Sequence, residues 1–111
     1  MTKLSEIPRP TIGRIVLYML AGQDAEEINR RRGHATANLS AHRERSDGSQ
    51  IHAGNSVAAG DVYPLVITRV WGLDVTSAVN GQVLLDGNDT FWATSVTAGD
   101  GPRHFTWPQR S

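Results

Sequence analysis

The segment Val62-Tyr-Pro-Leu-Val-Ile-Thr-Arg-Val-Trp71 constrains the fold more than any other part of the chain. β-Branched and aromatic residues dominate it, and such side chains pack well on a pleated surface but crowd a helix. Pro64 has no N–H to give to a sheet ladder, so an edge or a bulge is expected near the start of this strand. Four more runs carry the same signature. Arg14-Ile-Val-Leu-Tyr-Met-Leu20 sets Ile15, Leu17 and Met19 on one face and Val16, Tyr18 and Leu20 on the other. Ala78 to Leu85 and Thr90 to Val96 flank Asp86-Gly-Asn-Asp89, a composition that closes a tight hairpin. His104 to Trp107 follows the turn at Ala98-Gly-Asp-Gly-Pro102 and is stopped by Pro108.

Only one segment reads as a helix, about Gly22 to Arg32. Asp24, Glu26 and Glu27 lie near its start and Arg30, Arg31 and Arg32 at its end, which complements the helix dipole at both termini. Gly33 reads as its stop. Its apolar face is thin, only Ala25 and Ile28, so it must lean on another element. The arginine triplet reads either as a solvated helix end or as an anion site. From His34 to Ala59 the chain is polar and poor in large apolar residues, which predicts a mobile insertion with a short strand near Gln50 to His52. Five short strands, one short helix and one long polar insertion make residues 1–111 a single, mainly β domain. A small five-stranded SH3-like barrel is expected, with an oligonucleotide-binding-type barrel as the alternative.

Composition narrows the function classes. With no cysteine there is no disulfide framework and no thiolate metal site. Eleven basic and eleven acidic residues cancel, which argues against a general polyanion binder, and nucleic acid is not the expected partner. One lysine stands against ten arginines. Codon usage in a GC-rich genome explains that bias, and so does bidentate recognition of phosphate or carboxylate. No apolar run approaches the roughly 20 residues needed to cross a bilayer, and no secretory signal pattern opens the chain, so a cytoplasmic setting is expected. His34, His42, His52 and His104 lack the spacing of a zinc motif, and Asp86-Gly-Asn-Asp89 lacks the ordered ligands of a calcium loop. No metal, cofactor or enzymatic activity is expected: no Gly-flanked serine, phosphate loop or carboxylate pair is present in the pattern.

An aromatic and arginine set on the strands remains. Strict alternation would place Tyr63, Leu65, Ile67, Arg69 and Trp71 on one face, with Asn80 and Gln82 sharing a face of the next strand and Arg103, Phe105 and Trp107 a face of the last. One reading fills a small barrel with Trp71, Trp92 and Trp107 and pairs Arg69 with an acid at its rim. The other makes Arg69, Trp71, Asn80, Gln82, Trp92, Arg103 and Trp107 a ligand-binding pocket, in which rings stack a base and arginines hold a phosphate.

Four stretches carry a family resemblance: Pro10-Thr-Ile-Gly-Arg-Ile-Val-Leu-Tyr18; Ala59 through Val62-Tyr-Pro-Leu to Gly72; Val79-Asn-Gly-Gln-Val-Leu-Leu through Phe91-Trp-Ala to Ser95; and His104-Phe-Thr-Trp-Pro108. In these the chain resembles a family of small proteins encoded by phages of high-GC Gram-positive bacteria. The last motif departs from the family, with Phe-Thr in place of a more polar-aromatic pair. The resemblance implies a phage setting and no particular activity. In that setting the expected function is non-enzymatic, oligomeric capture of a small anionic ligand such as a cyclic nucleotide defence signal, in the host cytoplasm. A virion structural or accessory protein and a host-protein docking module are the alternatives. Because the insertion leaves little chain for a core, a homodimer or higher oligomer is expected.

Overall fold

The computed structural model describes residues 8–44 and 54–109. Five strands, β1 (Ile15–Met19), β2 (Val62–Val70), β3 (Val79–Leu84), β4 (Thr90–Ala98) and β5 (His104–Thr106), close into a barrel, with one helix, α1 (Gly22–Glu44), between β1 and β2. β1 to β4 pair antiparallel in sequence order; β5 lies parallel to β4 and closes the barrel antiparallel to β1. This order is that of a small SH3-like barrel, not of the oligonucleotide-binding alternative.

The interior is mainly aliphatic, with Tyr18, Phe91 and Phe105 as its rings. Val16, Tyr18 and Leu20 point inward with Leu65, Ile67, Val79, Val83, Phe91, Val96 and Phe105. The tryptophans do not fill the barrel: Trp71 and Trp92 are exposed, and Trp107 only packs against the core from its edge. A ring of five short strands has room for branched aliphatics and two or three small rings, and not for three indoles. Gly81 faces inward where β2 and β3 coil tightly; a Cβ there would run into the Leu65 side chain and lie 2.6 Å from the Val66 carbonyl oxygen.

α1 covers one pole. Asp24, in its first turn, reaches back to accept the Ala21 N–H at 2.9 Å, the reciprocal half of a capping box, and also accepts the Tyr18 hydroxyl at 2.6 Å. Burial and this bond to a carboxylate hold the Tyr18 phenol above its ordinary pKa. Ala25, next in the chain, and Ile28 and Arg32, one and two turns on, are buried against the barrel. Asn29 exchanges two hydrogen bonds with the Val57 backbone, at 2.8 and 2.9 Å. Arg32 grips Asp89 with Nε at 3.2 Å and Nη2 at 2.9 Å and donates to the Asn55 carbonyl, tying helix, hairpin and the return segment together.

Two readings of this region are corrected. The helix does not stop at Gly33 but continues eleven residues to Glu44. Gly33 lacks the positive φ of a C-terminal cap, and Ala35, Ala37, Leu39 and Ala41 supply helix formers that outweigh the polar composition. The segment 34–59 is therefore not one polar loop: its first part is helical, and residues 54–58 are anchored through Asn55 and Val57. The proposed strand near Gln50 to His52 lies outside the described residues. Arg32 is also no open anion site, because Asp89 occupies it.

Candidate functional site

Two bulges shape the outer wall of the barrel. The β2–β3 register shifts between Ile67 and Arg69, and the β3–β4 register shifts between Val79 and Gly81. The extra residue on β2 reverses the alternation, so Arg69 and Trp71 leave the face of Leu65 and Ile67 and turn to solvent. Strict alternation would have buried a guanidinium, whereas the bulge leaves it hydrated. Arg69 therefore has no buried acid. Its guanidinium carbon stacks 4.0 Å from the centroid of the Trp71 ring, which is itself 55% exposed.

Asn80 fixes this pair from below. It is buried, and its Oδ1 accepts the Trp71 indole N–H at 3.1 Å and the Ser95 backbone N–H at 2.9 Å. Ser95 takes the left-handed conformation, with φ of 55°, that lets β4 turn its N–H toward that oxygen. Along the same outer face, Val66, Gln82 and Trp92 stand opposite one another across β2, β3 and β4, with Gln82 half-buried and Trp92 60% exposed. Arg69, Trp71, Asn80, Gln82 and Trp92 thus share one outer surface rather than an enclosed pocket.

The other two candidates lie apart. Arg103 sits before β5 in a left-handed conformation (φ 65°), gives its N–H to the Met19 carbonyl, and lines a cleft of about 460 Å³ beside Asp24, Glu26, Glu27 and Arg30 of α1. Acids outnumber bases there, which does not suit an anion. Trp107 packs edge-on against Phe105, at 5.7 Å between centroids and 83° between planes, and carries the Arg14 guanidinium 5.2 Å from its ring centroid. Arg103, Phe105 and Trp107 do not share a face: Phe105 is buried, Arg103 is exposed and Trp107 lies between.

Alternation could not show a second feature, at the pole opposite the N-terminal half of α1. The irregular segment 8–14 that leads into β1 runs beside the second half of β2, held by Gly13 N–H on the Ile67 carbonyl (2.7 Å) and Ile67 N–H on the Arg14 carbonyl (2.9 Å). Between it and the β2–β3 loop lies a groove of about 310 Å³ lined by Arg9, Pro10, Thr11, Ile12, Val70, Gly72 and Leu73. Arg9 braces it, donating from Nη1 to the Leu73 carbonyl at 3.0 Å. Ile12 and Leu73 are 72% and 85% exposed. Their sequence signal was an isolated large apolar residue beside glycine in each of two loops.

Asp24, Asp61, Asp74, Asp86 and Asp89 each accept a hydrogen bond from the chain itself. Among the described residues no three His, Asp or Glu side chains come together as a metal would need, and no helix is long and apolar enough to cross a membrane. The fold and this surface define a small SH3-like barrel with an exposed arginine–tryptophan stack on its outer wall. No protein-family model, curated protein or solved structure matches the chain.

Proposed function

We propose that this barrel is a non-enzymatic binding module for an anionic ligand, with Arg69 stacked on Trp71 as its recognition element. The observation that carries the reading is an exposed, positioned guanidinium. Stacking and the Asn80 anchor restrict both side chains before any ligand arrives, which lowers the ordering cost of binding. An arginine held in this way presents its remaining N–H donors in a planar fork suited to phosphate or carboxylate. Trp92 adds a second exposed ring on the same surface. In a phage setting, a nucleotide-derived defence signal is one such anion, with its base against an indole and its phosphate on Arg69.

The surface is open, and small ligands are usually enclosed in concave sites. That geometry favours an anion presented by a larger partner, as in the host-docking and virion alternatives. The test is a panel of cyclic and linear nucleotides, inorganic phosphate and acidic peptides, followed by tryptophan fluorescence and thermal melting. At least one anion is expected to shift both signals in the wild type and neither in Arg69→Met, with the response weakening as salt rises. Because Arg69 is exposed, the variant should melt as the wild type does. Absence of any response across the panel rejects the reading.

A further inference from the structure

We propose that the groove between the segment leading into β1 and the β2–β3 loop docks an acidic peptide segment carrying one large apolar side chain. The proposal rests on Arg69–Trp71 being an anion-recognition element and names the partner that the whole pole fits. Ile12, Val70 and Leu73 give the groove an aliphatic lining, and about 310 Å³ accommodates a leucine or phenylalanine side chain with part of its neighbour. Ile12 and Leu73 are far too exposed to serve the barrel's own core.

Charge selects the partner. The segments forming this pole, residues 8–14 and 69–78, contain Arg9, Arg14 and Arg69 against a single acid, Asp74. Asp74 is turned onto its own loop: it accepts the Thr76 N–H at 2.8 Å and the Thr76 hydroxyl at 2.6 Å, and these bonds hold its carboxyl below the ordinary carboxylate range. Arg9 lines the groove, and with Arg14 and Arg69 on the same segments it complements carboxylates flanking an apolar anchor. A nucleic-acid backbone would engage the arginines and leave the groove empty, and a neutral chain offers it no extended basic track.

The probe is a fluorescein-labelled octapeptide with leucine and phenylalanine at its centre and three acidic residues on each side, followed by anisotropy against the full chain. Binding to the wild type is expected to weaken by about tenfold or more in Leu73→Glu and Ile12→Glu, and equally when the peptide's two apolar residues become serine. Both substituted positions are largely exposed, so melts should confirm unchanged folding. Peptide binding that Leu73→Glu and Ile12→Glu leave intact while Arg69→Met abolishes it overturns the groove and spares the anion element. Nucleotides or a mixed single-stranded DNA binding where the peptide does not have the same consequence. If nothing binds, both proposals fall.

Discussion

Asn80 accepts two N–H donors through one carbonyl oxygen, from the Trp71 indole and from the Ser95 backbone. Replacing it by alanine takes the shared acceptor from both part-buried donors. Asn80→Ala is therefore expected to lower stability by about 1–3 kcal/mol in denaturant titrations and to red-shift tryptophan emission as Trp71 loosens. An unchanged midpoint would show that water replaces the amide without cost. The same neighbourhood marks the limit of what the sequence revealed about the site. Arg69, Trp71, Asn80, Gln82 and Trp92 stood out as residue types, and the structure places them on one surface. Their orientation was hidden because alternation has no term for a bulge, and a single extra residue reverses every later side chain on the strand. One clue was present: continuing the pattern would have buried an arginine with no acid beside it in sequence.

At the scale of elements, all five strands were legible to within two residues, because β-branched runs between turn residues are a local signal. The helix was legible at its start, where Asp24 caps it, and not at its end. Gly33 sits in the helix interior with open space where a Cβ would go. Gly33→Ala should accordingly stabilise the protein by about 0.5–1 kcal/mol, whereas a left-handed cap at this position would make the same change destabilising. A thermal melt separates the two signs. The helix is tied to the β3–β4 hairpin by Arg32 and Asp89, and the hydrogen bond from Arg32 holds the Asp89 carboxyl below the ordinary carboxylate value. A depressed folded pKa contributes stability that is complete above the unfolded value, near pH 4, and is lost as pH falls through the folded value. Wild-type melting temperature is expected to drop below about pH 4, and Asp89→Asn, less stable at neutral pH, to show a shallower acid limb. Parallel acid limbs for the two proteins would assign the loss to other carboxylates.

For the whole molecule, β5 closes the barrel through short pairings only, with Thr97 and Ala98 of β4 and with Leu17 and Tyr18 of β1, and the broad outer wall is the larger surface for further association. The outer wall offers one such face: Ile15, Val66, Gln82 and Trp92 lie in one row across four strands and Leu17, Pro64, Leu84 and Thr90 in the next, with no charge among them. Ile15, Leu84 and Trp92 are 49%, 41% and 60% exposed. A twofold copy of the chain would cover these uncharged rows, and a closed twofold pair is the commonest way to do so. Sedimentation at high micromolar concentration is expected to return a dimer that Trp92→Glu dissociates; a wild-type monomer at that concentration would remove the oligomer from this reading. The neutral net charge of the chain, legible from composition alone, concealed a local imbalance, with Arg9, Arg14 and Arg69 against the single acid Asp74 in residues 8–14 and 69–78.

The asparagine that organises the site is followed by glycine. In a mobile chain Asn–Gly is the pair most prone to self-attack, the glycine nitrogen closing on the side-chain carbonyl carbon and expelling ammonia through a cyclic imide. Here Asn80 and Gly81 are both fixed in β3, and two donors pin the amide oxygen. The folded barrel thus shields its own weakest peptide link, and each opening of β3 exposes it. Hydrolysis of the imide yields mostly isoaspartate, which adds a carbon to the main chain and would throw β3 out of step with both neighbours. Chemical ageing at Asn80 is therefore expected to proceed at a rate governed by how often the barrel opens.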